Sequence, residues 1–155
     1  MKTKPKICFI CNTGGHLEQI KQLFMVADRY EHYYVLPSSK STKQFKGKKY
    51  LVNSFSRSNK LLFPIEFICT SILQLIIYML ERPNVVITTG AGVAYPTCCI
   101  AKFFGSKVIY IESFARMKTL NKTGKLLYPC ADLFVVQWKQ LLSVVPKAVY
   151  GGWIY

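Results

Sequence analysis

The chain has 155 residues, 51% apolar and 14% aromatic, so it suits one domain with a sizeable core and is too apolar for a disordered polyelectrolyte. Lys and Arg outnumber Asp and Glu by 21 to 7, a formal net charge of +14, which favours a polyanionic neighbour: nucleic acid, an anionic membrane surface or a phosphorylated substrate. The charge is clustered rather than spread for solubility, with seven Lys/Arg and no acid from His32 to Ile65, and four with no acid from Ser113 to Ala131.

In chain order, Ile7–Cys11 is a short apolar run read as a buried parallel strand, ending in Asn12-Thr13-Gly14-Gly15-His16. Gly15–Asp28 carries Leu17, Ile20, Leu23, Phe24 and Ala27 at helical spacing. Tyr33–Leu36 is a second strand, ended by Pro37; Ser38–Lys49 is a basic loop, and Tyr50–Val52 a short strand. A long apolar helix over Leu61–Leu80 stops at Arg82-Pro83. Val85–Thr88 is a strand closed by Gly90-Ala91-Gly92, Thr97–Phe104 a helix stopped by Gly105, and Val108–Ile111 a strand. Thr123–Tyr128 is a short helix, Leu133–Val136 a strand, Gln137–Val144 a helical turn or two, and Ala148–Tyr150 a last strand.

Strands alternating with helices predict a parallel α/β sheet with helices on both faces, in which ligands bind at the carboxyl ends of the strands. Three turns then share one rim: Asn12–His16, Thr89–Gly92 and Glu112–Arg116. Gly14 and Gly15 let backbone approach a ligand closely, which suits a phosphate. The spacing is not GxGxxG, and no acid near position 35 is placed to take a ribose, so a nicotinamide cofactor is disfavoured. His16 reads as a base, as a donor to a phosphate, or as a structural histidine at a helix start.

Cys8 and Cys11 have CxxC spacing, but no second pair completes a zinc site, and they read as small core residues in a reducing compartment. No metal is expected. Only five apolar residues follow the basic start before Asn12, so no signal peptide is expected. In Leu61–Leu80, Pro64 and Glu66 leave Phe67–Leu80 clean, about 21 Å of helix against a hydrocarbon core of about 30 Å. No transmembrane helix is therefore expected. Glu66, Thr70 and Gln74 make a narrow polar stripe on this helix. Two readings stand: a helix sandwiched within the fold, or one that packs on the sheet and also touches a membrane or partner.

The segments "NTGGHLEQI", "ERPNVVITTGAGVAYP", "VIYIESFARMKTLNKTGKLLYPCADLFVVQW" and "AVYGGWIY" resemble the acceptor-side subunit of two-part UDP-sugar glycosyltransferases. One relative anchors the eukaryotic UDP-N-acetylglucosamine transferase of the dolichol pathway. The nearer resemblance is to bacterial capsule and exopolysaccharide proteins, where an enhancer chain serves a catalytic galactosyltransferase chain. The resemblance runs from about Ile7 to the C-terminus; the Ile111–Trp138 stretch is its most specific part, and the Gly-Gly-His turn is shared with other GT-B enzymes.

The resemblance implies a single Rossmann-like domain over residues 1–155, like the N-terminal half of a GT-B glycosyltransferase, with the donor site on a partner chain. It implies no cofactor. The acceptor would be a lipid-linked diphosphate sugar at the cytoplasmic face of the cell membrane, with Thr13, Gly14, Gly15, Gly90, Gly92 and Arg116 receiving the diphosphate. His16 and Glu112 are rival catalytic residues. The expected reaction moves galactose from UDP-galactose to lipid-linked glucose in a β-1,4 linkage. The eukaryotic relative's N-terminal span is not matched, so attachment is expected to be peripheral. Anionic lipids attract clustered Lys and Arg by about 1 kcal/mol each, and Lys43, Lys46, Lys48 and Lys49 are the expected contacts. Tyr150, Trp153, Ile154 and Tyr155 form an aromatic, apolar tail expected to dock the catalytic subunit, the alternative being a tail folded back onto its own domain. Competing classes are a basic nucleic-acid-binding α/β domain, for which no recognised motif is present, and a small nucleotide-dependent enzyme, for which no Walker lysine is present.

Overall fold

A computed structural model describes residues 4–53 and 61–154 of the chain. Seven strands form one sheet: β1 Lys6–Ile10, β2 Glu31–Pro37, β3 Lys49–Val52, β4 Val85–Thr88, β5 Lys107–Ile111, β6 Leu133–Val136 and β7 Val149–Tyr150. All neighbours pair in parallel, in the order β3-β2-β1-β4-β5-β6-β7. The α-helices are α1 Gly15–Lys21, α2 Phe24–Ala27, α3 Lys40–Lys43, α4 Phe63–Glu81, α5 Ala94–Phe103 and α6 Lys122–Leu127; a 3₁₀ turn spans Lys139–Ser143.

The alternation of strand side chains builds two cores. Cys8, Ile10, Tyr33, Val35, Val86, Val108, Tyr110, Phe134 and Val136 face α4, α5 and α6, packing on Ile77, Tyr78, Cys98, Ala101 and Leu127. Ile7, Phe9, Cys11, Tyr34, Leu36, Ile87 and Ile111 face the other way, onto Leu17, Ile20, Ala27 and Phe45. Cys8 and Cys11 therefore lie in opposite cores and cannot hold one metal ion together. Burial pushes both thiols up to about 12.

Three elements depart from the sequence expectation. The helix expected over Gly15–Asp28 breaks after Lys21: Leu23 N–H bonds back to the Ile20 carbonyl at 3.0 Å, a tighter turn, and the helix resumes at Phe24. The expected Ser38–Lys49 loop contains α3, because Ser39 and Thr42 form a reciprocal capping box. In α5 the helix starts at Ala94, three residues before Thr97. Pro96 is a residue of its first turn, where no intrahelical N–H bond is needed.

The four basic-loop lysines have different partners. Lys48 pairs with the buried Glu81 carboxylate at 2.7 Å, alongside Lys6 at 3.2 Å and the Tyr50 hydroxyl. Burial alone would raise the Glu81 carboxyl, yet Lys48, Tyr50 and Lys6 hold it below the ordinary carboxylate range. Lys49 donates to the Lys43 carbonyl at 2.7 Å and to the Phe45 carbonyl, closing the loop. Lys43 and Lys46 project into solvent. Of these four expected surface contacts, Lys48 and Lys49 therefore also serve partners within the fold, the Lys48 side chain remaining 54% exposed. Lys48→Gln and Lys49→Gln should each lower the thermal midpoint by several degrees, whereas Lys43→Gln and Lys46→Gln should leave it unchanged in a melting experiment.

Candidate functional site

Strand order reverses between β1 and β4, so their carboxyl ends flank the crevice in which open α/β sheets bind ligands. The turn after β1 and the turn after β4 are tied together there. His16 Nδ1 lies 2.8 Å from the Thr89 carbonyl oxygen, and the Thr89 hydroxyl donates to the His16 carbonyl at 3.1 Å. A carbonyl only accepts, so Nδ1 carries the proton and Nε2 keeps a bare lone pair. Burial pushes His16 below the ordinary imidazole value, and the Thr89 carbonyl offsets this in part.

His16 lines a cleft of about 250 Å³ with Ala91, Gly92, Arg116, Asn121, Lys122 and Thr123. All three turns expected on one rim contribute to its neighbourhood. Arg116 and Lys122 are both exposed and bring two cations to it. The arrangement offers a neutral imidazole acceptor beside two exposed cations; the imidazole can take a proton from a hydroxyl near a bound polyanion. Among the described residues no group of three or more His, Cys, Asp or Glu could hold a metal ion.

The remaining expected site residues stand in different places. Thr13, Gly14 and Gly15 form the turn into α1; Gly14 has φ +73°, and a Cβ there would meet nothing within 4 Å. Gly90 is buried with φ +98°, and a Cβ on it would meet the Tyr110 hydroxyl at 2.6 Å. Packing against Tyr110 thus explains that glycine without a ligand. The next residue, Ala91, has φ +78° on the cleft wall, an uncommon backbone state for a side-chain-bearing residue.

Glu112 is fully buried beneath the cleft. Its carboxylate accepts from Ser113 N–H at 2.8 Å, Asn121 N–H at 3.2 Å and Asn121 Nδ2 at 2.7 Å. Burial raises its carboxyl to about 7, against the pull of those donors and of Arg116. The same Asn121 caps α6 by accepting from Gly124 N–H at 2.7 Å. A Cβ on Gly124 would meet the Glu112 carboxylate at 2.5 Å, so α6 sits hard against it. Geometry therefore disfavours Glu112 as a group that touches substrate; it pins both ends of the loop that carries Arg116. Asn121 and Thr123 escaped sequence reasoning, which had Thr89 only as the start of a rim turn and Lys122 only as one of a basic cluster. An Asn before a short helix is a capping cue that points to Asn121.

The C-terminal segment folds back on the same side. Ile154 N–H donates to the Gln137 side chain at 2.8 Å, and Ile154 packs in the core shared with Ile111. Trp153 is 65% exposed and stands 5.4 Å from the Trp138 ring and 5.7 Å from the Phe114 ring. Trp138 donates to the Phe114 carbonyl at 2.7 Å, which links this cluster to the Arg116 loop. Tyr150 is exposed, with Lys139 over its ring at 5.4 Å. Of the expected docking residues, Ile154 is thus held against its own fold and Tyr155 lies outside the described residues.

The fold is similar to that of Acinetobacter baumannii MurG, with TM-score 0.69 and 17% identity over 88% of this chain and 43% of that one. In sequence, the UDP-N-acetylglucosamine transferase subunit ALG14 of Kluyveromyces lactis is 44% identical over 84 residues, 48% of this chain but only 34% of that protein. The subunit of the same name from Debaryomyces hansenii is 30% identical over an alignment covering 94% of this chain and 75% of that protein. The family described as "Oligosaccharide biosynthesis protein Alg14 like" matches residues 7–154, and the chain belongs to that family.

Proposed function

We propose that this chain is the acceptor-side subunit of a two-part UDP-sugar glycosyltransferase: one Rossmann-like domain that presents a lipid-linked diphosphate sugar to a catalytic partner chain. The observation that carries this reading is the rim cleft, where the unprotonated Nε2 of His16 accompanies Arg116 and Lys122 at the β1/β4 switch point. Cations suit a diphosphate, and a neutral imidazole suits removal of a proton from the sugar hydroxyl that attacks the donor. The relatives' designation as transferase subunits supports a donor site on another polypeptide.

Within this reading His16 is the base, Arg116 and Lys122 hold the diphosphate, and Thr13, Gly14, Gly15 and Gly92 shape its approach. Glu112 is a positioning residue. The capsule or exopolysaccharide setting, with galactose carried to glucose, rests on the quoted motifs; the relatives' names favour N-acetylglucosamine as donor sugar. The test is binding of a short-chain, water-soluble prenyl diphosphate sugar by calorimetry. Arg116→Ala should weaken it about tenfold or more, the worth of a charge-assisted contact. Equal affinity in wild type and variant would remove the diphosphate from this cleft.

The exposed Trp153 cluster is the proposed dock for the catalytic subunit, since it lies beside the loop that reaches the cleft. Trp153→Ala should leave melting unchanged within a degree or two and weaken co-purification with the partner about tenfold or more, as loss of an interface aromatic does. Full deletion of Trp153–Tyr155 also removes the Ile154 hydrogen bond and core contact, so the point variant separates docking from folding.

A further inference from the structure

The polar side chains that line the rim cleft are those of His16, Arg116, Asn121, Lys122 and Thr123. The fold already uses some of their bonding capacity. His16 gives Nδ1 to the Thr89 carbonyl and keeps Nε2. Asn121 is committed on both sides of its amide: Oδ1 accepts from Gly124 N–H at 2.7 Å and from the Tyr110 hydroxyl at 3.0 Å, while Nδ2 donates to Glu112 at 2.7 Å. Arg116 and Lys122 are exposed. Thr123 differs from all of these. It is 4% exposed, yet among the described residues its hydroxyl has no hydrogen-bond partner. Nor is that oxygen sealed in, since among the described residues the sealed side-chain polar atoms without a partner are those of Gln19. The little surface that Thr123 keeps therefore includes its hydroxyl and faces the cleft it lines.

Stability does not account for this hydroxyl. A nearly buried hydroxyl without a partner has given up water for nothing, whereas valine has the same shape and no such cost. The position is also rigid. Thr123 is the second residue of α6, whose start is fixed by the Asn121 cap, with Gly124 pressed on the Glu112 carboxylate. A β-branched side chain there has few rotamers. The cleft thus holds a neutral, preset hydroxyl in its floor and two exposed cations at its edge. A phosphate oxygen only accepts, and it suits the cations. A sugar hydroxyl both donates and accepts, as a threonine hydroxyl does. The space of about 250 Å³ that Thr123 shares with His16 is on the scale of one sugar ring, not of a chain of them.

We propose that Thr123 reads the acceptor sugar. Its hydroxyl bonds one ring hydroxyl of the sugar whose attacking hydroxyl lies at His16 Nε2, while the diphosphate stays with Arg116 and Lys122 at the edge. Thr123 is then a specificity-determining residue that touches substrate and fixes the sugar's orientation against the base. A sugar lacking that hydroxyl leaves Thr123 unpaired and binds less well. The proposal rests on the acceptor-side reading and deepens it by naming the group that selects the sugar.

The test is calorimetry of the full chain with geranyl diphosphate and with geranyl diphosphate carrying glucose or N-acetylglucosamine. Thr123→Val should weaken binding of the preferred sugar ligand about three- to tenfold, the worth of one hydrogen bond, and leave binding of geranyl diphosphate unchanged. Its melting midpoint should be unchanged or raised, because the hydroxyl bonds nothing in the free chain. Thr123→Ser, which keeps the hydroxyl, should bind close to wild type. Thr123→Ala takes the place of Thr123→Val if the latter misfolds. An equal loss for ligands with and without sugar would put the hydroxyl on the diphosphate and overturn the assignment. Unchanged affinity in Thr123→Val, or the same loss in Thr123→Ser, also overturns it, and in both cases the acceptor reading stands. Wild type that binds none of the three ligands sinks the acceptor reading and this proposal with it.

Discussion

Replacing His16 by alanine should slow sugar transfer by the two-chain complex about 10²-fold or more, with acceptor affinity changed much less. The expectation follows from the tautomer. The Thr89 carbonyl at 2.8 Å requires a proton on Nδ1 and so leaves Nε2 as the acceptor. Burial holds the imidazole below the ordinary 6.5, so it stays neutral as pH falls through that value. The wild-type rate should therefore persist to lower pH than an ordinary histidine would allow, and the His16→Ala variant should lack that acidic limb. The same lowered value has a stability consequence: below about 6.5 the unfolded chain takes up the proton before the folded one does, so stability falls on acidification. A loss of only a few-fold, with an unaltered pH profile, would make His16 a positioning group.

Glu112→Gln should have the largest effect on the scaffold beneath the cleft. The carboxylate accepts from Ser113 N–H and from both nitrogens of Asn121. An amide nitrogen in its place would confront one of those donors, leaving a buried group unmatched at a cost of about 1–3 kcal/mol. The loop carrying Arg116 would loosen, so acceptor KM should rise more than kcat falls. The pH dependence has the opposite sign to that of His16. The folded carboxyl titrates at about 7, above 4.5, because burial disfavours its charge. Between those values the unfolded chain ionises first, so this group's contribution is full below about 4.5 and is lost as pH rises to about 7. The wild-type advantage in melting temperature over Glu112→Gln should shrink across that window. A constant difference would show that Glu112 does not titrate there.

The sheet was legible because each strand is a short apolar run whose alternate residues supply both cores. Cys8 and Ile10 face one side, Ile7, Phe9 and Cys11 the other. The rim was legible for the same reason: parallel strands put the Gly-Gly-His turn and the Gly-Ala-Gly turn on one edge. What escaped was set by partners distant in sequence. Thr89 offers a backbone carbonyl, which no side-chain pattern displays. Glu112 ends a strand like a rim catalyst, yet Asn121 and Gly124 close over it. On α4 the Thr70 and Gln74 stripe was visible, but the Val93 carbonyl and Thr97 decide that it faces inward. Lys48 read as surface charge because its partner Glu81 lies 33 positions on, at the end of α4, whereas Lys49 is held by the nearby Lys43 and Phe45 backbone carbonyls, which, like that of Thr89, no side-chain pattern displays.

The central claim is that this chain presents the acceptor and a second chain supplies the donor site. UDP-sugar transfer to a lipid-linked diphosphate acceptor should be measured with this chain alone, with the catalytic partner alone and with both, using UDP-galactose and UDP-N-acetylglucosamine in turn. Transfer is predicted from one donor, in the paired reaction only. Transfer by this chain alone, or by the partner alone at the paired rate, would contradict the account.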